Sequence, residues 1–116
     1  MAEPSPVRVL CIYRVKDGQE DEFRPLLEKH WPTLNSIGLV TSEPARWYAS
    51  KDKKGRQLFL EIFEWKDGGA HAAHTNSNVM EIWDGMGAVA DFVPLGDLAE
   101  AGTRFPHFLP LEGGTP

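Results

Sequence analysis

The sequence predicts a single α+β domain, and three observations support this prediction. With 116 residues, the chain has room for one ordinary domain and not for two. Short runs rich in β-branched and aromatic residues alternate along it with two segments whose apolar residues recur at helical spacing. The composition, 41% hydrophobic and 25% charged, is that of a globular domain. We therefore expect one core formed between a sheet and helices.

Charge and motifs exclude several function classes. The net charge is −5, which disfavours nucleic acid as a partner. The chain contains no CxxC pair, GxGxxG or Walker loop, or GxSxG elbow. The lone Cys11 cannot form an intrachain disulfide, and no apolar run is long enough to span a membrane. With no signal-peptide pattern at the N-terminus, the prediction is a cytoplasmic protein with no membrane partner.

The first half of the chain predicts a strand and a helix after a loose leader at residues 1–6. The run VRVLCIYRV, residues 7–15, alternates its side chains between two faces and is typical of a strand. Apolar residues then follow helical spacing from Phe23 to Ile37, and Gly38 is a plausible helix stop. Pro25 and Pro32 lie inside this pattern, so we expect a kink or break near Trp31.

The second half predicts a hairpin, a helical region and a last strand. Residues 39–50 and 56–65 are predicted strands, and alternation in the second puts Glu61 on the opposite face from Leu60. The predicted helical region covers residues 70–89, and the polar residues 75–77 are able to split it. A strand at residues 91–95 follows, and a tail at residues 99–116, with Phe105 and Phe108, is expected to pack on the sheet or on a partner subunit.

This order is the ferredoxin-like β-α-β-β-α-β pattern, with two helices on one face of a four-stranded antiparallel sheet. The strands at residues 7–15 and 56–65, however, carry large apolar side chains on both faces. The second face needs a cover, and the tail is short. We therefore predict a homodimer whose subunits pack through their sheet faces.

Two histidines and an asparagine share one side of the second helical region. His71 and His74 are three residues apart, and Asn78 follows four residues after His74. A metal site lacks obvious further ligands at characteristic spacing, so we expect no metal. Two readings stay open: His71 is solvent-facing and His74 an ordinary helix histidine, or His74 is a pocket base that exchanges protons near neutral pH.

Glu61 and the aromatic residues supply the other candidates. Glu61 lies on an aromatic strand face, where burial would favour acid or base chemistry, but it could equally pair with Arg14 or Arg46. Large aromatic side chains usually form the core or an interface, although an aromatic pocket with a few polar groups suits a flat organic ligand. The side chains predicted to bind such a ligand are Trp65, Trp83, Tyr48, Phe63, Tyr13 and His71.

The residues resemble the dimeric α+β barrel superfamily, and within it the antibiotic biosynthesis monooxygenase-like domains. The resemblance covers about residues 7–98 and rests on the element order, the strand LFLEIFEW, the segment AHAAHTNSNVMEIWDGM with its Ala73-His74 step, and the closing strand. It implies homodimers that pair through their sheets, with a hydrophobic pocket between sheet and helices. Members include oxygenases of polyphenols or quinols that need no flavin or metal, and relatives that degrade haem.

The resemblance implies a cofactor-independent monooxygenase that acts on a small aromatic or quinol-type molecule. Such a substrate, once deprotonated, can reduce oxygen itself, so the protein supplies only a base, hydrogen-bond donors and a dry pocket. The first strand lacks the asparagine of the haem-degrading members, which disfavours that activity. The implied roles are His74 as base, Asn78, Trp65 and Trp83 as donors or stacking partners, and Glu61 and Tyr48 as second-rank candidates.

Two alternatives remain from the sequence. The first is a non-catalytic dimer of the same fold that binds a small ligand or has a structural role, in which the aromatic residues only pack. The second is a haem or metal binder. Fold-level analogy alone does not separate these from an oxygenase.

Overall fold

The computed structural model describes residues 7–51, 54–98 and 108–111. The predicted leader and much of the predicted tail, including Phe105, lie outside these residues. No helix in the described part is both long and apolar enough to cross a membrane. The elements are β1 (Val7–Val15), α1 (Glu20–Ser36), β2 (Arg46–Lys51), β3 (Gln57–Trp65), α2 (Gly69–Ala73), α3 (Ser77–Val89), β4 (Ala90–Phe92), a 3-10 turn (Leu95–Asp97) and β5 (Leu109–Pro110).

The sheet confirms the α+β class, but it has five strands rather than four. All pairings are antiparallel, in the order β4-β1-β3-β2-β5. The additional strand comes from the tail: Leu109 pairs with Ala49 of β2. The Leu111 N–H then donates to the carbonyl of Trp47 at 2.8 Å. The tail thus satisfies backbone groups that an unpaired β2 edge would leave exposed.

Helix α1 runs unbroken over 17 residues, so of the kink or break expected near Trp31 the break does not occur. Pro25 and Pro32 each remove one backbone hydrogen bond from the helix interior. The buried side chains Phe23, Leu27 and Trp31 pack one face of the helix into the core. This packing outweighs the lost hydrogen bonds, because most helix stability in a protein comes from the buried face.

The second helical region is split as the polar residues 75–77 suggest. Asn76 is the N-cap of α3, and its Oδ1 accepts hydrogen bonds from the N–H groups of Asn78 (2.9 Å) and Val79 (3.2 Å).

The predicted strands are shortened where proline intervenes. Strand β2 begins only after Pro44, and β4 ends before Pro94, because proline lacks the N–H that a strand ladder needs.

The apolar residues form one cluster on each face of the sheet. The larger cluster fills the space between the sheet and the helices, where Phe23 stacks on Phe59 with ring centroids 5.6 Å apart. The smaller cluster lies on the second face and consists of Ile12, Leu58, Leu60 and Leu98, with Tyr48, Val93 and Phe108 packed against it. Three residues from beyond β4, namely Val93, Leu98 and Phe108, therefore cover the middle of the second face, for which the strand pattern alone suggests a partner subunit.

Candidate functional site

Glu61 occupies the centre of the sheet with its side chain inside the protein. It lies on the central strand β3, opposite Cys11 of β1 and Trp47 of β2. Its side chain points toward the helices and is fully buried. Burying a carboxylate is costly unless hydrogen bonds replace the lost water, so its partners define the site.

Three side chains from three different elements donate to this carboxylate. The Tyr13 hydroxyl donates to Oε1 at 2.7 Å, and Nδ1 of His30 lies 2.8 Å from the same oxygen. The Trp47 indole N–H donates to Oε2 at 3.1 Å. Both oxygens therefore have donors, which is the arrangement that stabilises an ionised carboxylate away from water.

His30 extends this network to helix α3. The indole N–H of Trp83 donates to its Nε2 at 2.8 Å. An indole nitrogen is only a donor, so Nε2 of His30 must carry the lone pair. His30 is therefore neutral, with its proton on Nδ1, and that proton points at Glu61. The two hydrogen bonds that link Trp83, His30 and Glu61 thus connect α3, α1 and β3.

The buried carboxylate changes the acidity of its neighbours. Burial, followed by the negative charge of Glu61, raises the pKa of Tyr13 well above its usual value. The same two causes, burial first, raise the pKa of Cys11 to about 12. Both side chains therefore stay protonated at neutral pH, and Tyr13 is kept as a hydrogen-bond donor.

A cavity of about 390 Å³ lies beside this network along β1, and its lining comes from β1, β3, the end of β4 and the helices, with Leu10 and Ile12 contributed by the second face of the sheet. Its volume is within the range of small-molecule sites, and its wall is mostly apolar and aromatic. His74 and Trp83 stand at this wall with ring centroids 5.0 Å apart. The lining residues are Leu10, Cys11, Ile12, Tyr13, His30, Phe63, Trp65, His74, Trp83, Phe92 and Val93.

The structure brings together part of the predicted set. Five candidates line the cavity, namely Tyr13, Phe63, Trp65, His74 and Trp83. Glu61 lies behind this wall, in hydrogen-bond contact with Tyr13 and His30.

Three other candidates lie elsewhere. Asn78 is exposed on the first turn of α3, and His71 is exposed on α2 beside a separate surface depression. Tyr48 packs on the second face of the sheet. Glu61 does not pair with Arg14 or Arg46, because the strand register puts both arginines on the opposite face from it.

His30 is the site residue that the sequence reading did not select. It follows Phe23 by seven residues and Leu27 by three, and it precedes Leu34 by four, so it falls on the buried face of α1. A histidine within an apolar helix stripe needs a polar partner inside the core, and Glu61 is the buried acid that supplies one. Helical spacing combined with the buried strand carboxylate is the signal that points to this pair.

No group of three or more potential metal ligands occurs among the described residues. Comparison of the chain with models of protein families, with curated proteins and with solved structures gave no match.

Proposed function

We propose that the cavity binds a small, flat, largely apolar molecule of the phenol or quinol class and that the protein promotes its oxygenation without a cofactor. The observation that carries the proposal is the cavity itself, whose aromatic wall includes the imidazole of His74. Aromatic walls favour a planar ring by stacking, and an imidazole is the usual side chain for moving a proton near neutral pH. The proposed fold family is the ferredoxin-like dimeric α+β barrel.

His74 is the proposed base because it combines access to solvent with a place on the cavity wall. It accepts the hydroxyl proton of the substrate, and the electron-rich anion transfers electrons to O₂. One oxygen atom is bonded to the ring carbon and the other leaves as water, so the substrate supplies all four electrons.

The test compares two histidine variants with the wild-type protein. The substrate is 1,4-dihydroxynaphthalene, and the measurements are O₂ uptake above the uncatalysed rate and incorporation of ¹⁸O from labelled O₂. Loss of a general base costs roughly 10²- to 10⁴-fold, so we expect His74→Ala to lose most of the activity. His71→Ala is the matched control, since His71 is exposed and outside this cavity. Equal activity in both variants would remove His74 from the mechanism.

A homodimer through the sheet faces is part of the proposal. At one end of the second face Leu10, which also lines the cavity, is 41% exposed next to Ile62. Arg8 and Glu64 form an ion pair at 2.9 Å on the same end of this face. This apolar patch with charges of both signs at its rim suits a second copy of the chain. Native mass spectrometry is expected to give twice the chain mass, and a monomer at micromolar concentration would contradict the dimer.

A binding protein without catalysis is the second candidate, and one observation favours it. Two of the polar groups next to the cavity already have partners within the protein: Glu61 has three donors, and both nitrogens of His30 are engaged. A protein that only binds its ligand needs no free base. Saturable binding of 2-naphthol, combined with no O₂ uptake for a panel of hydroquinones, would establish this function in place of the oxygenase.

A further inference from the structure

We propose that Glu61 is a positioning residue that fixes the orientation of Trp83 by setting the tautomer of His30. Glu61 is fully buried and does not line the cavity, whereas Trp83 is part of its wall. The relay, by which we mean the hydrogen bonds from Glu61 to His30 and from Trp83 to His30, thus connects a carboxylate outside the cavity lining to an aromatic ring that a ligand would contact. Its consequence for ligand binding rests on the proposed function, but the relay itself does not.

The first step is the contact between Glu61 and His30. Oε1 of Glu61 lies 2.8 Å from Nδ1 of His30, and both side chains are almost completely buried. A carboxylate only accepts hydrogen bonds, so this contact requires a proton on Nδ1. Phe63 packs edge-on against the imidazole at 5.5 Å between ring centroids, which restricts rotation of the ring.

The second step is the contact between His30 and Trp83. With its proton on Nδ1, the neutral imidazole has a lone pair on Nε2, and this atom accepts from the indole N–H at 2.8 Å. The other tautomer would direct two N–H groups at each other and break this hydrogen bond. The tautomer that Glu61 selects is therefore the one that holds Trp83 in place.

The third step is the position of the indole. Trp83 is half-buried, and its ring lies between His30 and His74, with centroids 6.3 Å and 5.0 Å away. A half-buried ring at a cavity has freedom to rotate unless a specific contact prevents it. The hydrogen bond to His30 supplies that contact and sets the angle at which the indole faces a bound ring.

Glu61→Gln tests the relay because Trp47 dictates how the new amide must lie. Trp47 is only a donor, so the amide oxygen has to face its N–H, and the amide NH₂ then faces Tyr13 and His30. His30 can accept from this NH₂ only by moving its proton to Nε2, which breaks the bond to Trp83. Adding Trp47→Phe removes the constraint, so the double variant lets the amide turn and restores the relay.

The measurement is two-dimensional ¹H–¹⁵N NMR of the full chain. In the wild type, we expect a protonated Nδ1 and an unprotonated Nε2 for His30, together with a Trp83 indole N–H peak typical of a hydrogen-bonded donor. Trp83→Phe assigns the indole peak. In Glu61→Gln, we expect Nε2 of His30 to be protonated and Nδ1 to be unprotonated, and we expect the Trp83 indole N–H peak to shift. The double variant is expected to return both toward the wild type.

Two outcomes would overturn the relay. The first is a wild-type spectrum with the proton of His30 on Nε2, a result that needs no variant to fold. The second is a folded Glu61→Gln protein whose His30 and Trp83 signals match those of the wild type. Retention of the Glu61→Gln changes in the double variant would contradict the role of Trp47 in orienting the amide, and with it the explanation of the switch.

Binding of 2-naphthol separates this proposal from the proposed function. Losing one fixed hydrogen bond at the cavity wall is expected to weaken binding about five- to tenfold in Glu61→Gln, with recovery in the double variant. If the NMR changes occur but no form of the protein binds 2-naphthol, the relay is supported, and the ligand binding on which the proposed function depends is contradicted. If 2-naphthol binds but the NMR signals do not respond to Glu61→Gln, the relay fails and ligand binding stands.

Discussion

Nδ1 of His30 lies 2.8 Å from Oε1 of Glu61, although 31 positions separate the two residues in the chain. His30 comes from helix α1 and Glu61 from the central strand, so their contact joins the helix layer to the sheet through the core. Tyr13 and Trp47 complete the set of donors around the carboxylate. If any one of the three donors turned away, part of the buried charge would be left uncompensated. The carboxylate therefore holds all three donor side chains in one geometry.

Cys11 is expected to resist alkylation in the folded protein. Burial raises its pKa to about 12, whereas an unperturbed thiol ionises near 9.0. At pH 8, the thiolate fraction is then about one in ten thousand in the folded state and about one in ten in the unfolded state. Iodoacetamide should therefore modify the folded protein roughly a thousandfold more slowly than the urea-unfolded chain, as followed by intact mass. Equal rates would show that Cys11 is an accessible, ordinary thiol.

Tyr13 is expected to make the folded state less stable in alkaline solution. Its folded-state pKa is raised well above the value of 10.0 at which a free tyrosine ionises. Above pH 10, the unfolded chain releases this proton and the folded protein retains it, so the free energy of unfolding falls as the pH rises. For one proton the slope is roughly 1.4 kcal/mol per pH unit.

Tyr13→Phe separates this titration from the hydrogen bond. At pH 7, the variant is expected to lose about 1.5–3 kcal/mol of stability, because Glu61 loses a donor. Above pH 10, its unfolding free energy should decline less steeply than that of the wild type, since phenylalanine does not titrate. Urea unfolding between pH 8.5 and 11 measures both effects. Parallel pH profiles for the two proteins would contradict the raised pKa.

Asn76 and Asn78 are expected to differ sharply although they are two residues apart. The Asn76 side chain caps α3 by accepting two backbone N–H groups, so Asn76→Ala should cost about 1 kcal/mol. Asn78 is exposed, and Asn78→Ala should change stability by less than about 0.5 kcal/mol. Thermal unfolding of the two variants checks this. Equal losses would indicate that the Asn76 cap contributes nothing beyond local helix propensity.

The cavity is expected to prefer neutral ligands to anions. None of its lining residues is a lysine or an arginine, and the carboxylate of Glu61 lies behind its wall. An anion that enters from solvent would therefore lose its hydration without gaining a positive partner, whereas an anion formed in the cavity by proton transfer to His74 would face the imidazolium. In titrations at pH 7.5, 2-naphthoate should bind at least about tenfold more weakly than 2-naphthol. Comparable affinities would mean that the ligand site lies elsewhere or includes a cation outside this lining.

Several features of the fold could be predicted from the sequence because their causes are local. The alternation in LFLEIFEW correctly separates Glu61 and Phe63 from Leu60, since strand side chains point to opposite faces in turn. Asn76 interrupts the second helical region as expected, because its side chain competes for backbone N–H groups. The helix is not broken near Trp31, because the expectation drawn from Pro25 and Pro32 counts lost hydrogen bonds and omits the packing of the buried helix face.

Local patterns in the sequence were enough to predict the α+β class, the strand faces and an aromatic set that includes Trp65 and Trp83. Tertiary packing was needed to show that His30 contacts Glu61, that Asn78 is exposed, and that Val93, Leu98 and Phe108 pack on the middle of the second face of the sheet. These relationships join residues far apart in the chain. Local periodicity records which side of an element is buried, whereas the packing of one element on another decides which buried groups become neighbours.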